Sequence, residues 1–469
     1  MGGDAVDPGR LWGARIAAPP AQAAWALGVS THFDTALWRQ DLAGSVAHAH
    51  ELARIGILAD AELTSLLGAL DRCAALFDAG AFPLLPTDED VHGAVERWLV
   101  EELGPVGGKL RAGRSRNDQI ANDLRLYLRD AIDELIGLIG GLQVALCDQA
   151  EAHLDWLAPG FTHVQRGQPV VLGHHLLAWV WALDRDAGRL RDCRRRVNVS
   201  VLGSGALAGT TLGQDPAAYA AQLGFDGVAQ NSMDAVGSRD VAAEFLAACA
   251  ILAVTLSRMG EEQVLWATAE FGFGRPGEAF TTGSSIMPQK RNPDVAELVR
   301  GKSGRIIGDL VALLTVCKGL PLTYNRDLQE DKEPIFDAVD TLRLTLPALT
   351  GAVATTTFDR DRLRAAAVGG FSLATDLAEE LARRGVPFRE AHELVGGLVR
   401  VAESRGGDLD TLTADDLTAA HPALDAGVVD LLDVEASVAR RSSSLGTAPD
   451  AVRAQLKRAR AAATDNLGT

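Results

Sequence analysis

Apolar residues recur along three stretches of this chain at spacings of three and four. From Ile120 they fall at Leu124, Tyr127, Ala131, Leu135, Leu138, Leu142 and Ala145. From Val241 they fall at Phe245, Ala248, Leu252 and Met259, and from Ile335 at Val339, Leu342, Leu346, Leu349 and Val353. Such spacing lays one apolar stripe along one face of a helix. The stripes predict helices of roughly 25 to 30 residues, about 40 Å long. Two more helices are predicted after Pro169 and Pro293, each with proline near its first turn, and Asn292 stands where it can cap the second. Pro347 lies inside the last stripe and predicts a kink. No alternating run is long enough for a convincing strand, and the pattern leaves only short hairpins open. The predicted fold class is all-α.

Five long helices of this kind make a bundle. The segment from Phe245 to Leu256 is apolar on most of its circumference, and Ala242, Ala243, Ala247, Ala248 and Ala250 permit close approach. A helix of that composition has to be buried on most sides, which predicts bundles packed on bundles and a homo-oligomer. Residues 1–115 read as shorter helices and loops, 116–365 as the long helices, and 366–469 as short helices broken at Gly369-Gly370, Gly396-Gly397 and Gly406-Gly407. The chain therefore reads as three domains with a central long-helix bundle.

Charge narrows the function. Lysine plus arginine number 45 and aspartate plus glutamate 62, a net charge of −17 over 469 residues. That balance excludes the basic footprint that non-specific nucleic-acid binding needs. A local basic pocket can still sit on an acidic protein, and Arg111, Arg114, Arg116, Lys290 and Arg291 are candidates for one. The five cysteines are scattered, with no Cys-x-x-Cys pair, as expected of reduced thiols rather than a disulfide framework or a zinc site. His48/His50 and His174/His175 show no metal-ligand pattern, and no metal is expected. Met1-Gly2-Gly3-Asp4 opens without a basic-then-apolar signal pattern, and the longest apolar run falls short of the roughly 20 residues that span a bilayer. A soluble, cytoplasmic protein with no membrane or nucleic-acid partner is expected.

One loop concentrates chemistry. Gly283 to Pro293 reads Gly-Ser-Ser-Ile-Met-Pro-Gln-Lys-Arg-Asn-Pro. It sets two hydroxyls, a lysine and an amide among residues that free or fix the backbone. Such a loop can close over an anion and place a hydroxyl beside it; the plainer reading is a solvated Ser/Gly turn. His163 lies in a Gly160–Gly167 loop, where histidine titrates near neutrality but is also common as a hydrogen-bonded loop residue. Arg116 and Asn117 precede the Ile120 helix, and arginine's fork suits carboxylates; the plainer reading folds this run back on Asp118 and Asp123. Taken alone, Glu297 reads as a solvated charge near a helix N-terminus, and Gln329 and Lys332 as an exposed, charge-rich helix start.

Four segments taken together resemble the fumarase/aspartase/argininosuccinate lyase superfamily. They are Gly113-Arg114-Ser115-Arg116-Asn117-Asp118-Gln119, Gly160-Phe161-Thr162-His163-Val164-Gln165-Arg166, the Gly283–Pro293 loop and the run from Tyr324 to Glu333. The resemblance covers nearly the whole chain in order and spacing. The Met287–Lys290, Asn292–Asp294 and Tyr324–Glu333 wordings are most similar to the argininosuccinate lyase branch. It implies a homotetramer around a shared helical core, with active sites shared between protomers. It also implies β-elimination from an N-substituted aspartate, here argininosuccinate, to give fumarate and arginine with no metal or organic cofactor.

The same resemblance distributes the roles. Ser284 is the base that takes the proton beside a carboxylate. Serine is a poor base at its free pKa, so its surroundings must favour the alkoxide. The developing charge on that carboxylate calls for donors and cations, which Lys290 and Asn292 offer. His163 assists the leaving nitrogen and Glu297 orients it through a carboxylate–imidazole bond. Thr162, Arg116 and Asn117 bind substrate carboxylates. Ser30, Tyr324, Gln329 and Lys332 match positions that hold the arginine portion. Ser285 supports the loop turn, and Met287 reads as an apolar anchor packed beneath the loop.

The chain also departs from the pattern. The branch usually reads Leu-His-Thr before Gly-Arg-Ser-Arg-Asn-Asp, and here Leu110-Arg111-Ala112 stands there. Trp12-Gly13-Ala14-Arg15-Ile16 replaces Trp-Gly-Gly-Arg-Phe, Gly167 stands for alanine, and Arg326 for lysine. The Arg111-Ala112 pair raises a second reading, a lyase of the same chemistry acting on a different amino-substituted succinate. A third, a catalytically silent structural protein on this fold, is opposed by the retained Ser284, His163, Lys290 and Asn292.

Overall fold

The computed structural model describes residues 20–468; the Trp12–Ile16 departure lies outside them. Five long helices carry the fold: α1 (Arg116–Ala152), α2 (Leu172–Val197), α3 (Asp240–Ala267), α4 (Asp294–Cys317) and α5 (Lys332–Thr355). Each answers one stretch singled out by its apolar spacing or its preceding proline. Stripe residues Leu135, Leu142, Leu252, Leu342, Leu346 and Leu349 are all 0% exposed. The fold is the expected all-α helical bundle.

Local chemistry sets where the helices begin. α1 starts at Arg116 because Ser115 and Asp118 cap it reciprocally. The Ser115 Oγ accepts the Asn117 N–H at 3.2 Å, and Asp118 Oδ1 accepts the Ser115 N–H at 3.0 Å. Asn292 is not the cap of α4. The carbonyl of Pro293 accepts the first helical bond, from the Glu297 N–H at 3.2 Å, so Pro293 fills the cap position and Asn292 pairs with Thr282 in a short strand. Pro169 likewise sits in a strand rather than the first turn of α2, which begins at Leu172. α5 runs on through Pro347.

The hairpin around His163 is the main element the spacing did not announce. β1 (Leu157–Thr162) pairs antiparallel with β2 (Gln165–Val171), with a register shift between Pro159 and Phe161. Gly160 sits at that shift, and a Cβ there would lie 2.7 Å from the Gln168 carbonyl oxygen. The hairpin therefore requires glycine at its bulge.

The chain divides into two compact units. The first comprises Met1–Glu134, Arg189–Ala250 and Arg305–Asp340, the second Leu135–Gly188, Ile251–Gly304 and Thr341–Thr469. In the first, the helices Trp38–Arg54, Asp60–Asp78 and Val91–Leu103 close over Leu52, Leu66, Leu70, Cys73, Val95 and Leu99. Phe77 stacks between Trp38 and Phe82 at the edge of that core. In the second, Gln149 donates to the carbonyls of Val353, Ala354 and Thr356 at 3.0–3.1 Å, closing the C-terminal end of α5. Asn466 donates to Gln143 at 2.6 Å, tying helix Pro449–Leu467 to α1. By length and composition α3 could cross a membrane, but 56% of its most apolar stretch is buried within the chain, as in a core helix.

Leu346→Ala is expected to cost about 2–5 kcal/mol, because a fully buried leucine leaves a cavity in a packed face. A denaturant midpoint equal to wild type would place that face of α5 outside the core.

Candidate active site

In the first unit, Ser30, Arg116 and Gln329 gather around the segments Gly28–Ser30 and Glu89–Asp90. Ser30 is buried; its Oγ donates to Asp34 Oδ2 at 2.5 Å and its N–H to the Glu89 carbonyl at 2.8 Å. Arg116 opens α1 with its guanidinium 3.0 Å from Asp90 Oδ2 and 3.9 Å from Glu89 Oε2. Gln329 donates to the Gly28 carbonyl at 3.1 Å, and Arg326 bonds the same carbonyl at 2.8 Å and Glu89 at 3.0 Å. Asn117 donates to the Ala206 carbonyl at 3.1 Å.

Asp118 fixes the loop over the start of α1 by accepting the N–H groups of Gly203 and Gly205 at 3.2 and 2.8 Å. Burial raises its pKa to about 6 against these bonds. Tyr324 is half-buried, and burial raises its hydroxyl pKa. Lys332 is not the exposed helix charge that its sequence surroundings suggest. It is buried, with Nζ 2.6 Å from Asp331 Oδ1, and Asp331 is bonded in turn by Arg239.

Two anchors here were missed from sequence. Asp90 caps helix Val91–Leu103 through the Gly93 N–H at 2.6 Å while its other oxygen holds Arg116. A Cβ on Gly93 would lie 2.8 Å from Arg116 Nη2. A glycine inside the first turn of an otherwise ordinary helix was the available signal. The departure Arg111 also finds a partner, its guanidinium lying 3.3 Å from Glu96 Oε2.

In the second unit, Thr162 and His163 sit at the exposed tip of the hairpin. Thr162 pairs with Gln165, leaving His163 and Val164 as a two-residue turn with φ of 56° and 59°. Both therefore adopt the left-handed conformation usually given to Asn-Gly, which is why the turn carried no recognisable sequence signal. Ser284 follows the short strand Thr282–Gly283, which pairs with Arg291–Asn292, so Ser284 to Lys290 form the connecting loop. The Ser284 Oγ accepts the N–H groups of Ile286 and Met287 at 3.3 and 3.1 Å.

Two loop expectations are corrected here. The hydroxyl that braces the turn is that of Ser284. Met287 is 40% exposed and Ile286 83% exposed, so neither packs beneath the loop. Glu297 stands on α4 with Arg300 as its ion-pair neighbour at 4.0 Å. Among the described residues, His163 and Glu297 make no bond to each other within the chain.

Chemically, the Ser284 oxygen receives two backbone donors, which favours its anion. The first unit offers a buried serine and an arginine fork for carboxylates. Comparison with known proteins identifies this long-helix bundle as a carbon–nitrogen lyase. The Lyase family profile matches residues 15–308 and the Argininosuccinate lyase C-terminal profile residues 371–439. The argininosuccinate lyase of Thermobifida fusca (strain YX) is 56% identical over 458 residues, 97% of this chain and 96% of that protein. That of Frankia casuarinae is 56% identical over 95% of this chain and 96% of its own length. Among solved structures, EDDS lyase in complex with formate superposes with a TM-score of 0.83 at 31% identity, covering 95% of this chain and 89% of that one. Class II fumarase from Schistosoma mansoni shares the fold, with a TM-score of 0.74 at 16% identity over 88% and 94% of the two chains. This chain belongs to the argininosuccinate lyase family.

Gly93→Ala separates fold from site. Alanine is favoured over glycine in a helix by up to about 1 kcal/mol, which offsets crowding of the Asp90 cap 3.1 Å from the new Cβ, so stability is expected to stay near wild type. The methyl must displace the Arg116 guanidinium, so KM for substrate is expected to rise about tenfold. Unchanged KM would show that the placement of Arg116 is immaterial.

Proposed function

We propose that this protein cleaves argininosuccinate to arginine and fumarate, and the two backbone donors on the Ser284 oxygen carry the reading of how it does so. Ser284 removes the proton beside one carboxylate. Its alkoxide is favoured because the Ile286 and Met287 N–H groups already point at it. Lys290 and Asn292 supply charge and a donor to the carboxylate that gains electron density. His163 protonates or organises the leaving nitrogen, and Glu297 orients it. Arg116, Asn117 and Thr162 hold substrate carboxylates. Ser30, Tyr324, Gln329 and Lys332 hold the arginine portion, Lys332 as a buried cation balanced by Asp331. Proton, carbanion and amine are all managed by side chains, so the chemistry calls for no cofactor.

Each site is completed between protomers of a homotetramer. The chain leaves apolar surface uncovered on the long helices. Leu298, Ile307, Val311 and Leu314 of α4 are 60%, 41%, 57% and 51% exposed, and Cβ atoms placed on Gly301, Gly304 and Gly308 would meet no described residue within 4 Å. An apolar face of that extent marks an interface, and bare glycines let a second helix approach closely. His163 and Glu297, unbonded within one chain, meet across such an interface. The protein works in solution in the cytoplasm, in three parts bounded near 115 and 365. The Arg111 contact with Glu96 supports argininosuccinate over another amino-substituted succinate, because that cation is already engaged by the protein.

Fumarate formation from argininosuccinate, followed by ultraviolet absorbance, is expected from wild type, and Ser284→Ala is expected to lower kcat by about 100-fold or more while leaving assembly intact. A Ser284→Ala protein that keeps most of its activity would falsify the assignment of the base. Absence of fumarate from assembled wild type would move the substrate to another N-substituted aspartate. Mixing inactive Ser284→Ala and His163→Asn proteins under subunit exchange should restore part of the activity. No recovery despite proven exchange would place both residues in one protomer's site.

A further inference from the structure

Near the signature arginines, the first unit buries three ionisable side chains against one another. His92 Nδ1 lies 3.0 Å from Asp41 Oδ1 and 3.6 Å from Asp123 Oδ2. Asp41 and Asp123 are 1% exposed and His92 3%. They come from three helices: Trp38–Arg54 carries Asp41, Val91–Leu103 carries His92 and α1 carries Asp123. Gln119, also on α1, donates to the same Asp41 oxygen. Asp41 Oδ2, Asp123 Oδ2 and His92 Nε2 are buried without a hydrogen-bond partner among the described residues.

Buried carboxylates side by side are costly unless a cation compensates them. The ring between these two is that cation. Burial opposes charge on His92, yet Asp41, Asp90 and Asp123 outweigh it and raise its pKa to about 9. Burial also works against a charged Asp41, yet the His92 charge and bond, with Arg114 and Gln119, outweigh it and hold it at about 2. Asp123 goes the other way, because burial and the Asp41 charge push it well above the carboxylate range. The charged groups facing His92 are Asp34, Asp41, Asp90 and Asp123, and Arg114 faces the last and Asp41.

The helix that His92 pins also holds the candidate substrate contacts. Its Val91 N–H bonds Asp34 at 3.0 Å, and Asp34 receives the Ser30 hydroxyl at 2.5 Å. Its cap Asp90 holds Arg116 at 3.0 Å, and its Glu96 holds Arg111 at 3.3 Å. Ser30, Arg111 and Arg116 thus all depend on where this one helix sits.

We propose that His92 is a positioning residue, a buried imidazolium clasp that fixes helix Val91–Leu103 against Asp41 and Asp123 and so sets Ser30 and Arg116 for the substrate. The positioning role rests on the reading of Ser30 and Arg116 as substrate contacts; the clasp itself does not. The folded ring binds its proton more tightly than the unfolded ring. The clasp therefore stabilises fully below about pH 6.5, the ordinary histidine value, and its contribution is lost as pH rises towards 9.

His92→Gln alone strands the Asp41 carboxylate and is expected to fold poorly. The test therefore uses His92→Gln with Asp41→Asn, which removes the cation and its anion together. Thermal midpoints of the full-length protein between about pH 6.5 and 9 are expected to fall for wild type and to fall markedly less for the double variant, in which the raised Asp123 carboxyl is the part of the cluster that remains. KM for argininosuccinate is expected to rise about tenfold in the double variant, with kcat within a factor of about three. A double variant that keeps the wild-type fall in midpoint overturns the clasp. Wild-type KM in the double variant, beside a raised KM in Arg116→Ala, overturns the positioning role alone. Unchanged KM in Arg116→Ala overturns the reading of Arg116 and the positioning with it.

Discussion

A helix of two dozen or more residues holds its shape in water only if its apolar face is covered, and that constraint governs this chain. The five long helices bury their stripes on Leu135, Leu142, Leu252, Leu342, Leu346 and Leu349, all 0% exposed. Propensity alone would not keep them formed, because most helical stability in proteins comes from packing an amphipathic face. α4 meets this demand only in part within one chain, since its Leu298, Val311 and Leu314 remain more than half exposed. The candidate site residues sit where the helices stop: Arg116 at the first residue of α1, the serine loop just before α4, and Gln329 and Lys332 at the entry to α5. The long helices thus carry these segments at their ends.

How much of this could be read from the chain differs by element. The long helices were legible because each repeats an apolar residue every three or four positions, a signal that survives local irregularity. Helix ends were less so. Pro293 was read as the first turn and Asn292 as the cap, yet the first helical bond falls on the Pro293 carbonyl. The hairpin Leu157–Val171 was not legible, because its turn is His163-Val164 and its strand contains Pro159 and Gly160, residues that argue against a strand. The candidate site residues were singled out by their grouping into four segments. What supports them was not, because Asp90, Gly93 and His92 act through contacts between residues distant in sequence.

Four cations around the candidate site in the first unit are engaged by the protein itself. Arg116 rests on Asp90, Lys332 on Asp331, Arg326 on Glu89 and Arg111 on Glu96. Paired in this way, these cations are each compensated within a chain whose net charge is −17. The Met287 error has a related cause. A methionine in a polar loop suggests an anchor, but the loop is braced by the Ser284 oxygen and two backbone N–H groups, which leaves its apolar side chains facing outward.

The hairpin that presents Thr162 and His163 works as an address. Along a strand successive side chains point to opposite faces, so pairing shifted by one position sends every group to the wrong side. Here that pairing is set several residues away, where Gly160 passes too close to the Gln168 carbonyl for any other residue to fit. A residue with no side chain thereby lets the two strands that carry the His163 turn approach each other. A single methyl group at position 160 would therefore disturb a hairpin whose tip lies beyond it.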